Sequence, residues 1–155
     1  MRRKDREIKN HDEIIDILQR ADTIRLGVHN NPFPYVVPLS FGFKDDKNEI
    51  TIYFHGTKEG LKHTLLDQNS HVCIEADILH RYEETEAGLT CEYESVIGFG
   101  IAEVVQGDEA ISGLDLICSH CGYHGYVYDT RGLEFMRIYK ITLSSITGKR
   151  RLGKC

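Results

Sequence analysis

Apolar positions over residues 10–21 recur at helical spacing, with Ile14, Ile15, Leu18 and Ala21 on one stripe, while Asn10, Asp12 and Glu13 suit the amino-terminal end of that helix. Strand-like stretches follow. Residues 23–29 and 35–43 flank the turn Asn30-Asn31-Pro32 and should form a hairpin; the polar turn Asp45-Asp46-Lys47-Asn48 then leads into a third strand over residues 49–55. In that strand Ile50, Ile52 and Phe54 alternate with Thr51, Tyr53 and His55, the pattern of a half-buried strand. The period changes after Gly60, where Leu61, Leu65 and Leu66 mark a helix over residues 61–68. A fourth strand spans residues 71–78, with Val72, Ile74 and Ala76 lining one face. Residues 80–91 are acidic and weakly patterned, a long loop or a strand extension. Residues 92–106 fit one curved strand in which Gly98 and Gly100 permit a bend or close packing. A helix over about residues 108–120 turns Ile111, Leu114, Ile117 and Cys118 inward. Residues 134–146 return to strand and offer Phe135, Ile138 and Ile141, or Met136, Tyr139 and Leu143, to the core.

Roughly six strands joined mainly by turns, with a few short helices between them, favour a mostly antiparallel sheet closing into a small barrel. A doubly wound parallel sheet would need a helix between successive strands, and the first three strands leave no room for one. Composition agrees with this picture. The 155 residues, 41% hydrophobic and 28% charged, suit one globular domain over residues 1–155. A net charge of −5 argues against nucleic acid as the default partner. No apolar run approaches the roughly 20 residues of a transmembrane helix, and no apolar signal core follows the basic start Met1-Arg2-Arg3-Lys4-Asp5-Arg6-Glu7, so a cytoplasmic address is expected. The cysteines (Cys73, Cys91, Cys118, Cys121 and Cys155) are odd in number and scattered, which disfavours a disulfide framework.

The segment from Tyr53 to Lys62 carries the clearest chemistry. A strand ends at His55, and a loop bounded by Gly56 and Gly60 opens a helix whose unpaired amides attract an anion beside Lys58 and Lys62. Spacing alone leaves a second account open, a solvated turn at a helix start, with His55 merely satisfied at a strand end. Pro38 cannot donate to a ladder and marks an edge strand or a bulge. A rival site is Cys118-Ser119-His120-Cys121-Gly122-Tyr123-His124, but structural zinc usually takes two Cys-x-x-Cys pairs. A helix end with one buried cysteine and a stop at Gly122 is the simpler account, unless Cys73 or Cys91 converges there. His11, His29, His63 and His80 follow no ligand spacing and read as surface residues. Glu83-Glu84-Thr85-Glu86 reads as a solvated loop and Lys149-Arg150-Arg151 as a basic tail.

The order of motifs resembles the flavin-binding split β-barrels related to pyridoxamine 5'-phosphate oxidase, and more narrowly the nitroimidazole-resistance (Nim) family. It runs from the start Met1 to Ile8 through Val37-Pro38-Leu39-Ser40-Phe41-Gly42 and Tyr53-Phe54-His55-Gly56 with Lys58, Gly60 and Lys62. It continues through Tyr93, Ser95-Val96-Ile97-Gly98-Phe99-Gly100 and Ala102-Glu103 to Ile146-Thr147-Gly148-Lys149. The resemblance implies a six- to seven-stranded antiparallel split barrel, and a homodimer with flavin mononucleotide (FMN) in each of two interface sites. It assigns Val37, Pro38, Leu39, Ser40 and Phe41 to the flavin ring, with the strand Tyr53, Phe54, His55 lying beside them. Gly56, Lys58, Gly60 and Lys62 would hold the phosphate, Lys62 foremost. His55 would be the catalytic residue, a proton-handling group close to the ring. Ser95 would approach the ring from the neighbouring subunit. The implied activity is an FMN-dependent oxidoreductase of the nitroimidazole-reductase, antibiotic-resistance type. It would pass electrons from a nicotinamide donor or another reductant to a small planar acceptor such as a nitro group. Alternatives are a non-catalytic or sensing flavoprotein, a heme or deazaflavin binder using the same cleft, and a zinc-stabilised domain through Cys118 and Cys121.

Overall fold

Asn10 starts the first helix with its side-chain oxygen accepting from the Asp12 amide at 2.9 Å, so helix α1 (His11–Arg20) forms where its apolar stripe predicts and buries Ile14, Ile17 and Leu18. The computed structural model describes residues 2–47 and 49–153; Met1 of the start motif, Asn48 of the second turn and Cys155 lie outside the described residues. Around α1 run strands β1 (Glu7–Ile8), β2 (Ile24–Val28), β3 (Tyr35–Leu39), β4 (Gly42–Asp45), β5 (Ile50–Thr57), β6 (His71–Thr85), β7 (Gly88–Val105) and β8 (Met136–Arg151). Helices α2 (Leu61–Gln68) and α3 (Gly107–His120) complete the order.

All ladders are antiparallel, in the order β3-β2-β6-β7-β8-β5-β4, with β1 added against β8. The two ends of this path, β3 and β4, are separated in the chain only by Ser40 and Phe41. Three Cα steps span at most about 11 Å, so the sheet must curl until its edges adjoin, giving a barrel split at that seam. Its interior holds Ile24, Leu26, Phe41, Ile52, Phe54, Ile74, Val96, Tyr139 and Ile141, closed by α1 and by Leu65 and Leu66 of α2. No helix among the described residues is long and apolar enough to cross a membrane.

Four expectations change. The apolar run 35–43 is two strands, because the chain switches partners at Ser40-Phe41: β3 pairs with β2, while Gly42 pairs with Tyr53. Tyr53 therefore pairs with Gly42 of β4 rather than with residues 37–39, and Phe54 and His55 run past β4 with β8 as their ladder partner. Next, β5 is buried on both faces from Ile50 to Phe54, since α3 covers its outer side and encloses Tyr53 with Ala110, Leu114, Ile117 and Ile138. The inward stripe of α3 is accordingly Ala110, Gly113, Leu114 and Ile117, and Ile111 is exposed. Third, of the two readings of residues 80–91 the strand extension holds: β6 and β7 stay paired to Thr85↔Gly88 around a turn at residues 86–87, so the acidic Glu83 lies in a ladder rather than a loop. Finally, Lys149, Arg150 and Arg151 belong to β8, with Arg150 paired to Glu13 at 2.8 Å and Arg151 to Glu83 at 3.0 Å.

Glu94 is buried between Arg20, at 2.8 Å, and His80, at 3.0 Å. Burial pushes its carboxyl up, but the hydrogen bonds from Arg20 and His80 outweigh that and hold its pKa below the ordinary value. A depressed carboxyl contributes stability above its unfolded pKa, about 4.3, and loses it as pH falls through the folded value. Denaturant titrations should show an acid limb below about pH 4.5 that Glu94→Gln flattens; an identical limb in the variant would refute this assignment.

Candidate functional site

Two glycines, Gly56 and Gly60, bracket the end of β5 and the loop into α2. Gly60 sits at φ +131°, a conformation that side chains resist, and from there its carbonyl accepts the Thr64 amide as α2 begins. Gly56 is crowded by side chains: a Cβ there would stand 2.8 Å from Lys62 Nζ and 3.1 Å from His63 Nε2. Both nitrogens thus overhang one point on the strand. Lys62 Nζ donates to the His55 carbonyl at 3.4 Å and lies 5.4 Å from the centre of the Phe54 ring. Lys62 is half-buried, and among the described residues no carboxylate lies within ion-pair reach of it. Burial pushes the Lys62 ammonium down from its usual pKa. A desolvated cation without a counter-ion gains more from an arriving anion than a solvated one would.

His55 points to the same face as Tyr53 and Ile138, its ladder partner, and its ring reaches solvent. Burial first, and the Lys62 charge second, hold its pKa below the ordinary histidine value, so it is neutral at pH 7. A cleft of about 610 Å³ opens beside this strand end, with Lys58, Asp67 and Arg137 at its polar side and Val104, Ile111 and Leu133 on its apolar walls. Lys58 pairs with no carboxylate among the described residues.

Other expected site residues fall into three groups. On β3, an edge strand that accommodates the missing amide of Pro38, Val37 and Leu39 are half-buried and Pro38 exposed, and Ser40 is exposed just after the strand. Phe41, Tyr53 and Phe54 are buried in the two cores, where they support the strands rather than line a surface. Ser95 sits on β7 opposite Asp77 and Lys149, away from the loop's own ladder. In the cysteine segment, Cys121 and Gly122 (φ +88°) end α3, and His120 bonds the Ala21 carbonyl at 2.8 Å and packs tilted against the Phe41 ring, centroids 4.2 Å apart. Among the described residues no three His, Cys, Asp or Glu side chains gather as a metal site, and neither Cys73 nor Cys91 joins Cys118.

A polar chain behind the loop was not foreseen. Asp67 receives Arg137 on both carboxylate oxygens at 2.9 and 3.0 Å, Arg137 reaches the Tyr139 hydroxyl at 3.4 Å, and Tyr139 meets His63 Nδ1 at 2.9 Å. His63, expected on the surface, is 4% exposed and stacks on Tyr139 at 5.6 Å. The i, i+4 pair His63 and Asp67 and the alternation Arg137-x-Tyr139 were the available signals, each marking one shared face.

A family model described as pyridoxamine 5'-phosphate oxidase matches residues 10–150. Among solved structures, a provisionally assigned 5-nitroimidazole antibiotic resistance protein from Bacteroides thetaiotaomicron is 27% identical, with a TM-score of 0.83 over 93% of this chain and 86% of that one. The flavocytochrome Anf3 from Azotobacter vinelandii shares the fold at 18% identity and a TM-score of 0.80, over 99% of this chain and 72% of that one. A FAD-binding protein from Mesorhizobium loti does so at 17% identity and a TM-score of 0.67, over 95% and 98%. No curated protein matches the chain.

Proposed function

We propose, since this chain belongs to the pyridoxamine 5'-phosphate oxidase family, that it binds one FMN per chain and is an oxidoreductase of the nitroimidazole-reductase type. It would take electrons from a reduced nicotinamide or another reductant and pass them to a small planar acceptor such as a nitro group. One observation carries the cofactor reading: the half-buried ammonium of Lys62, at the start of α2, has no counter-ion among the described residues and overhangs Gly56 of β5. A phosphate satisfies that charge, with Lys58 and the first amides of α2 as further donors. The edge strand Val37 to Leu39 offers free backbone groups for a flavin ring.

The flavin, when bound, supplies the electron-transfer chemistry. His55, neutral at pH 7, can donate its ring N–H to an acceptor oxygen and relay a proton from water as negative charge builds there. The likeness to the Bacteroides protein supports a nitroimidazole-type acceptor.

A second copy of the chain completes this reading. Ile97, Phe99 and Ile101 are 42, 54 and 44% exposed in one row on the outer face of β7, an apolar stripe that a homodimer would cover. Ser95 begins the same row, which supports its reaching the partner's flavin.

The test is anaerobic. The reduced flavin-loaded protein is mixed with a nitroimidazole, and flavin reoxidation is followed by absorbance. The expected result is acceptor-dependent reoxidation that His55→Asn slows; no reoxidation would defeat the nitroreductase reading.

A further inference from the structure

Among the described residues the buried polar side chains are Thr51, His63, Glu92 and Glu94. Glu92 and Glu94 are neutralised by Arg81 and Arg20, whereas His63 follows Lys62 directly and its Nε2 has no protein partner among the described residues. We propose that His63 is the second polar arm of the anion cradle: its Nε2–H, beside the Lys62 ammonium over Gly56, donates to the same phosphate. The inference rests on the FMN reading above.

The tautomer follows from the chain behind it. Arg137 can only donate, so the Tyr139 oxygen accepts from it, and the Tyr139 O–H is free to donate to His63 Nδ1. Asp67 fixes Arg137 through both oxygens. With Nδ1 as acceptor, the imidazole proton sits on Nε2, the nitrogen over Gly56. Stacking between the Phe54, Tyr139 and His63 rings fixes the plane, with centroids 5.0 and 5.6 Å apart. Burial, and then the Lys62 and Arg137 charges, lower the His63 pKa and keep this neutral donor form at pH 7. The glycine at 56 thus lets the Lys62 and His63 nitrogens close in side by side over the strand, so that both can face the same anion.

Titration of the full chain with FMN and with riboflavin, which lacks the phosphate, isolates this contact. Quenching of flavin fluorescence gives both affinities, and circular dichroism and melting report the fold. Wild type should prefer FMN. His63→Leu should weaken FMN about tenfold and leave riboflavin unchanged, while His63→Gln, whose amide nitrogen reaches toward the Nε2 position, should recover most of the loss. Tyr139→Phe keeps the ring stack but frees the tautomer, and should lose part of the FMN preference. If His63→Leu does not fold, His63→Gln and Tyr139→Phe decide: a near-wild-type FMN preference in His63→Gln beside a reduced one in Tyr139→Phe supports the role, and a full preference in Tyr139→Phe overturns it. A wild-type preference retained in full by the His63→Leu and Tyr139→Phe variants, or equal losses for both ligands, would overturn the inference and leave the FMN reading standing. Absence of any FMN preference in wild type would overturn both.

Discussion

Lys62→Ala is expected to weaken FMN binding by about 2–3 kcal/mol, roughly 30- to 150-fold, while riboflavin affinity stays where it was. The ammonium is half-buried, among the described residues its only polar contact is a 3.4 Å bond to the His55 carbonyl, and burial already holds its pKa down. On the reading proposed above, its removal takes one positive charge from the phosphate and leaves Lys58, His63 and the α2 amides. The flavin-free protein should respond in the opposite sense. A lysine whose folded pKa is lowered binds fewer protons folded than unfolded between the two pKa values, so it opposes folding below that window and ceases to do so above it. Lys62→Ala should thus leave the melting temperature of the flavin-free protein unchanged or slightly raised. Unaltered FMN affinity would remove Lys62 from the phosphate site; a collapse of the fold would mark it as structural.

Gly42→Ala should destabilise the protein by about 3 kcal/mol and lower its melting temperature by roughly 10 °C. The cause is space, not backbone conformation. A Cβ on Gly42 would stand 2.3 Å from the Leu116 carbonyl carbon and 2.5 Å from the Ile117 nitrogen, both main-chain atoms of α3 that no rotamer change can move. Gly113 of α3 makes the reciprocal approach, where a Cβ would come 2.6 Å from the Tyr53 ring. These paired glycines seat α3 on β4 and β5, and α3 in turn lines the cleft with Ala110 and Ile111. Gly88→Ala provides the contrast: it meets nothing within 4 Å and strains only a φ of +112°, so it should cost about 1 kcal/mol. Calorimetry that finds the two equivalent would contradict this packing account.

Periodicity exposed most of the local structure because the interior of the barrel imposes it. α2 runs over the residues its leucines indicate, and the family likeness of both chain ends has a physical basis, since Ile8 pairs with Gly148 and a Cβ on Gly148 would press on Ile8 at 3.0 Å. What the pattern concealed was long-range. Nothing local in residues 35–43 marks the change of ladder partner, because both halves are strand. Burial of Tyr53 depends on a helix some 60 residues later in the chain. The β6–β7 extension carries charge pairs such as Arg81 with Glu92, so its strands lack an apolar signature. In the candidate site, glycines and lysines betrayed the loop, whereas the chain from Asp67 through Arg137 and Tyr139 to His63 joins segments 70 or more positions apart.

The central claim is that the loop from Gly56 to Lys62 holds the phosphate of FMN. The most direct measurement is to titrate the purified protein with FMN, denature it, and identify and count the flavin released by chromatography. One FMN per chain is the expected result; a protein that releases no flavin, and takes none up when FMN is added, would contradict the account.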